Sequence, residues 1–320
     1  MSPTTPAAVV LLGAQRFDPT LGDAVAEIGV TGRIATITAG WQEREAEDED
    51  LALHLGGRTV NLKLHARGEA VFRADPELRQ AHRERQALLR HRREFYRIRL
   101  EQELEVERVI RARSATPPEL AAEQAQASID ALRALDRAHL ASFARSRAEF
   151  ESRLALAERP EVARQRRELA EVAGGCRAFA IAGGHVATLL NRFALFDVAA
   201  LLRGKPVFAW SGGAMVISDR VVLFHDHPPQ GPGAAEVLEA GLGLVPDVVF
   251  LPQPEERLDL AQTERVAGLV RRFAPARCIA LPSRTRVAWR GGRFVASDGA
   301  VELRADGGHG PFQPSAGVGR

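Results

Sequence analysis

The sequence predicts an α/β fold: a doubly wound, mostly parallel sheet with helices on both faces, interrupted by a long, charged α-helical hairpin. Three observations lead there. Short apolar runs bounded by glycine or polar residues alternate with helix-forming stretches at both ends of the chain, as strands alternate with crossover helices. The middle, residues 75–173, carries no glycine and is crowded with Arg, Glu, Ala, Leu and Gln, all strong helix formers. The length of 320 residues, 45% of them hydrophobic, is ample for a full core.

The elements follow in order. Residues 8–12 (AVVLL) and 33–38 (RIATIT) are short and rich in β-branched side chains, so they read as buried strands. Residues 58–64 (RTVNLKL) alternate and read as a third. An acidic run over 43–50 leads into a helix through Leu55, where negative charge suits a helix N-terminus; such a run also serves as a plain solvated face. In the middle region Leu89, Tyr96, Leu100 and Leu104 fall on one side of a long helix. Thr116-Pro117-Pro118-Glu119 reads as the next helix start, with Thr116 as N-cap. Ile129, Leu132, Leu135, Phe143, Phe150 and Leu154 then keep amphipathic spacing, Pro160 breaks the helix and Gly174-Gly175 ends a third piece. The hairpin either projects from the main domain or packs beside it.

After it, 177–182 (RAFAIA), 206–210 (PVFAW), 221–224, 248–251 and 278–281 read as strands, with helices over 186–202 and 258–273. Residues 287–295 form a hairpin turning at Gly291-Gly292, and 301–304 add an edge strand. The division expected is an α/β domain of residues 1–74 and 174–305, a helical insertion over 75–173, and a disordered tail over 306–320, which is rich in Gly, Pro and Ser.

Charge narrows the function. The 43 basic and 41 acidic residues leave a net charge of +2, which excludes a generally basic nucleic-acid binder and an acidic disordered chain. The arginines of the first long helix are interleaved with glutamates such as Glu77, Glu94 and Glu101. Nucleic acid is therefore not the expected partner; a coiled-coil homo-oligomer or an intramolecular bundle is. Cys176 and Cys278 form no CxxC pair and no disulfide framework, which suits a reducing compartment. The apolar run at 7–14 has no basic residue before it and is too short for a signal or a membrane helix. The expectation is a cytoplasmic protein with no membrane partner.

The sharpest local feature is the run from Ala209 to Met215, AWSGGAM. A buried strand passes directly into Ser211-Gly212-Gly213 and then a short apolar helix, the layout of a nucleophile elbow, in which a tight strand-to-helix turn exposes the serine hydroxyl. A Ser-Gly-Gly turn can also be purely structural. Gly183-Gly184-His185 ends the preceding strand; its glycines can present backbone N–H groups to a bound carbonyl, or simply permit a tight turn. His225, Asp226 and His227 follow the next strand and offer an orienting acid and a general base, His185 being a further candidate base. Two histidines two residues apart could bind a metal, but no third ligand is evident, so neither metal nor cofactor is expected.

The runs AIAGGHVATLL (180–190), PVFAWSGGAM (206–215), VVLFHD (221–226) and GLGLVPDVVFLPQ (241–253) resemble the dipeptidase E and cyanophycinase family of serine peptidases, in the class I glutamine amidotransferase-like superfamily. The resemblance covers about 176–282 and, loosely, the N-terminal strands; it does not reach the helical insertion. It implies hydrolysis of peptide or isopeptide bonds, with a peptide or small acidic substrate. It places the nucleophile at Ser211, oxyanion-binding N–H groups at Gly183, Gly184 and Gly212, and the acid at Asp226. The family's histidine falls on Gln253, which cannot take a proton from serine at neutral pH. Three readings follow: a serine hydrolase whose base is His225, His227 or His185; a catalytically impaired pseudoenzyme that keeps a binding cleft; or an assembly or regulatory protein acting through its helical hairpin.

Overall fold

A computed structural model describes residues 5–113, 117–225 and 233–314. The first half contains strands β1 (Ala8–Leu12), β2 (Ile34–Ile37) and β3 (Thr59–Asn61), and helices α1 (Leu21–Glu27), α2 (Glu49–His54) and α3 (Leu64–Ala74). The long helices α4 (Pro76–Arg111) and α5 (Pro118–Leu154) follow, then α6 (Pro160–Gly174). After them come β4 (Ala178–Ile181), α7 (Val186–Phe196), α8 (Val198–Leu201), β5 (Pro206–Trp210) and α9 (Gly212–Ile217). The chain continues through β6 (Arg220–Leu223), β7 (Glu236–Ala240), β8 (Val248–Pro252), α10 (Pro254–Arg257), α11 (Thr263–Phe273) and β9 (Arg277–Leu281). It closes with β10 (Arg286–Arg290), β11 (Arg293–Asp298), β12 (Val301–Leu303) and β13 (His309–Pro311).

The main sheet runs β11-β10-β1-β5-β4-β2-β3. The five strands from β1 to β3 in that order are parallel, and β10 and β11 add antiparallel to the β1 edge. The parallel strands β1, β5, β4 and β2 are buried on both faces, and the two-residue period of a strand sorts their side chains cleanly. Val9 and Leu11, Phe179 and Ile181, Val207 and Ala209 join the larger core; Val10 and Leu12, Ala178 and Ala180, Phe208 and Trp210 join the smaller one under α1. This is the doubly wound α/β arrangement that the apolar runs predict.

Not all strands join that sheet. β8 and β9 form a separate parallel pair, extended antiparallel by β12 and β13, while β6 and β7 form an antiparallel pair of their own. The tail expected to be disordered begins too early at 306. Residues 309–311 pair with β12, and Phe312 is buried against the Phe294 ring at 5.0 Å, so packing holds a segment whose composition favours disorder. The helix expected over 186–202 is two, because Asp197 turns into the left-handed region at φ 50°. The one expected over 258–273 begins only at Thr263, after Asp259 caps a turn by accepting the Ala261 N–H. α5 starts at Pro118 with Pro117 at the cap; Thr116 lies outside the described residues.

α4 and α5 run antiparallel: Tyr96 meets Asp136 and Arg92 meets Ser142. A buried polar network clamps this pair to β7 and α11. The Arg272 guanidinium donates twice to the Asp136 carboxylate, at 2.6 and 2.8 Å, and once to the Tyr96 hydroxyl at 2.8 Å; Tyr96 in turn accepts the Val237 N–H. His139 stacks on Tyr96 with ring centroids 4.1 Å apart. No helix among the described residues is long and apolar enough to cross a membrane.

Candidate active site

β5 hands the chain to α9 through a single residue, Ser211. That residue stands at φ 51°, ψ −130°. Side-chain-bearing residues enter this region only where their surroundings over-determine it, at about 1–3 kcal/mol. Those surroundings are close. A Cβ on Gly183, at the end of β4, would lie 2.5 Å from Ser211 Cβ and 2.8 Å from the Gly212 nitrogen, so only glycine lets the two strand ends pass. Gly184 follows at φ 104°, and the His185 N–H beyond it donates to Gly40 O at 2.7 Å, tying this loop to the segment after β2. The N–H groups of Gly183, Gly184 and Gly212 have no acceptor among the described residues.

Strained backbone gathers along this edge. Lys63 and Ser211 have positive φ just after β3 and β5 of the main sheet, and Gln253 and Arg284 have it within three residues of the ends of β8 and β9 in the separate sheet. In an α/β sheet the carboxyl edge is where ligands bind.

Gln253 comes from β8. Its left-handed bend (φ 54°, ψ 53°) is held by its own N–H donating to Leu281 O at 3.2 Å. Its side chain bridges two groups: the Ser211 hydroxyl donates to Gln253 Oε1 at 3.4 Å, and Gln253 Nε2 donates to Glu256 Oε2, also at 3.4 Å. Both bonds are long. The side-chain order is thus serine, amide, carboxylate. Reading the sequence missed Glu256, because it sits on α10, a single turn of helix that shows no apolar period. Arg257 ends the same turn, half-buried, with its guanidinium 6.0 Å over the Phe224 ring; burial lowers its pKa and Glu256 opposes the shift.

His225 is exposed, with its ring 6.3 Å from that of Phe224. Asp226 and His227 lie outside the described residues. His185 serves as the N-cap of α7: its Nδ1 accepts the Thr188 N–H at 3.2 Å. In a neutral ring the proton then sits on Nε2, so that nitrogen has no lone pair for a proton from serine. Both cysteines are buried; burial pushes the Cys278 thiol up to about 12 and raises Cys176 as well, so neither is a ready nucleophile. Among the described residues no three His, Cys, Asp or Glu side chains are grouped to hold a metal.

No family model matches the chain, and no curated protein matches it. Among solved structures it is similar to the crystal structure of a peptidase from an acI-B1 actinobacterium, at 14% identity and a TM-score of 0.46, covering 97% of this chain and 98% of that one. At that distance the reading of the site stays with the residues themselves. Gln253, the hydroxyl's partner, has no means of removing its proton.

Proposed function

We propose that this chain is a serine-peptidase-like protein of the dipeptidase E and cyanophycinase type that binds a peptide or small acidic ligand at Ser211 and turns it over poorly or not at all. One observation carries the reading: the Ser211 hydroxyl donates to an amide oxygen, Gln253 Oε1, where hydrolysis needs a base. Attack on a carbonyl requires the hydroxyl proton to leave as the new C–O bond forms. An amide accepts a hydrogen bond but holds no proton at neutral pH. Losing one member of a catalytic triad costs about 10⁴-fold in rate. What supports retained binding is the elbow itself, with its strained serine and unpaired glycine N–H groups.

The test is labelling of the purified chain by a fluorophosphonate, with Ser211→Ala as control. The wild type is expected to stay unlabelled while Gln253→His gains labelling that Ser211→Ala removes. A histidine in that place would bridge Ser211 and Glu256, so adding Glu256→Gln should slow the gained reaction. Ser211-dependent labelling of the wild type would sink the proposal and favour a base among residues 225–227.

A further inference from the structure

A cavity of about 540 Å³ opens between α5, α6, α7 and β7, within the size range of small-molecule sites. It is separate from the Ser211 elbow. The N-cap of α7, His185, belongs to the glycine loop at the elbow, whereas Leu190, Phe193 and Asp197, from the far half of that helix, line the cavity. The helix between them is about 16 Å long. Behind the cavity lies a gap of about 20 Å³, room for one water or one ligand oxygen, and the two share Arg147, Glu151, Leu156 and Ala194 as walls. Arg85 lines this inner end, with a side chain only 8% exposed whose Nε and Nη2 have no hydrogen-bond partner. Glu239 stands 4.0 Å from Nη2 and already accepts from Arg147 Nη2 at 2.9 Å. Arg147 Nε is likewise buried and unpartnered. Buried donors without an acceptor are costly. A carboxylate satisfies two guanidinium groups at once, with charge as well as lone pairs, where a water offers only two lone pairs.

The mouth has the opposite character. Glu158 and Asp197 line it, both exposed and both without a side-chain partner among the described residues. Ala155 and Asp197, the C-caps of α5 and α7, stand on the same rim, and the carbonyl end of a helix favours positive charge. Arg166 also lines this part, but its guanidinium is committed to Leu195 O, at 2.9 and 3.0 Å. Leu156, Leu190, Phe193 and Leu242 make the remaining walls apolar. The cavity is thus cationic at its inner end and anionic at its mouth. A plain organic acid meets repulsion on entry and a plain amine finds two arginines at the bottom; a molecule with a carboxylate at one end, an amine at the other and an aliphatic stem matches all three parts.

We propose that this cavity is a second ligand site, distinct from the Ser211 elbow, for an amino acid whose amine is separated from its carboxylate by an aliphatic stem, the carboxylate held by Arg85 and Arg147 and the amine by Glu158 and Asp197. Isothermal titration of the full-length chain with 6-aminohexanoate should show saturable binding at one site. Hexanoate and hexylamine, each lacking one of the two charges, should bind at least about tenfold more weakly. Arg147→Gln should weaken 6-aminohexanoate binding by a similar factor. Because Arg147 also holds Glu239, the double variant Glu158→Gln/Asp197→Asn is the firmer test. Both of its side chains are exposed, and asparagine tolerates the left-handed backbone of position 197, so the melting temperature should not change while binding falls about tenfold. Absence of binding would overturn the proposal. So would binding untouched by both variants, which would place the ligand elsewhere, the elbow included. Hexanoate binding as tightly as 6-aminohexanoate would show that the acidic mouth reads no amine and would overturn the assignment of ligand class.

Discussion

The carboxyl edge of the sheet and the base of the helical hairpin solve opposite problems. At the hairpin base the backbone is regular helix and strand, and the difficulty is charge: Arg272 and Asp136 are both 4% exposed at their side chains. Burial alone would lower the arginine's pKa, but its bonds to Asp136 outweigh that and hold it above its usual value. At the Ser211 edge the difficulty is conformation, with Ser211 at φ 51° and Gln253 at φ 54°. The first region is built for cohesion, because a buried ion pair tolerates no missing partner. The second keeps a costly geometry that cohesion does not require.

The contrast can be broken most sharply at the hairpin base. Asp136→Ala strands the Arg272 charge and should destabilise the protein by about 3–5 kcal/mol in chemical denaturation. The double variant Asp136→Leu/Arg272→Met should recover much of that loss. A small effect of Asp136→Ala alone would mean that the clamp is solvated and the hairpin base loosely held.

The same side of the molecule should respond to pH. His82 stacks on Phe72 at 4.7 Å, and burial, aided by Arg192 and Arg85, lowers its pKa to about 4. The unfolded chain, with an ordinary histidine near 6.5, then binds the proton more readily, so stability is lost as pH falls from about 6.5 to 4. The loss should be on the order of 2–3 kcal/mol, and His139, also lowered by burial, adds in the same direction. His82→Phe should flatten the profile of unfolding free energy against pH; an unchanged slope would assign it to other groups.

At the sheet edge, Gly183→Ala pushes a methyl group against Ser211 and the Gly212 nitrogen. It should cost about 1–3 kcal/mol and abolish the labelling gained by Gln253→His. The smallest effect has the opposite sign. Ser211→Gly releases the strain at φ 51° and should stabilise the fold by about 1 kcal/mol, read from the denaturation midpoint. Destabilisation by this change would mean that the serine is held for cohesion and would dissolve the contrast between the two regions.

How much was legible in the sequence varies by residue. The strands at 8–12, 178–181 and 206–210 were readable because a sheet covered on both faces demands unbroken apolar runs. The Ser211 elbow was readable because strand, serine, glycines and helix are consecutive in the chain. Gln253 at the base's position rested on a resemblance, and only the fold brings its amide to the serine, 42 residues away. Glu256 and the Tyr96–Asp136–Arg272 network left no local trace, since the network joins residues up to 176 apart.

What the sequence by itself determined is therefore local: which segments are strand or helix, which helix face is apolar, and where a turn requires serine and glycine. Periodicity and backbone sterics set these within a few residues. The tertiary structure alone decided which strands pair, that β8 and β9 stand apart from the main sheet, that residues 309–312 are held in place, and that a carboxylate lies behind Gln253. Those outcomes depend on contacts between distant segments, whose energies no window of neighbouring residues contains.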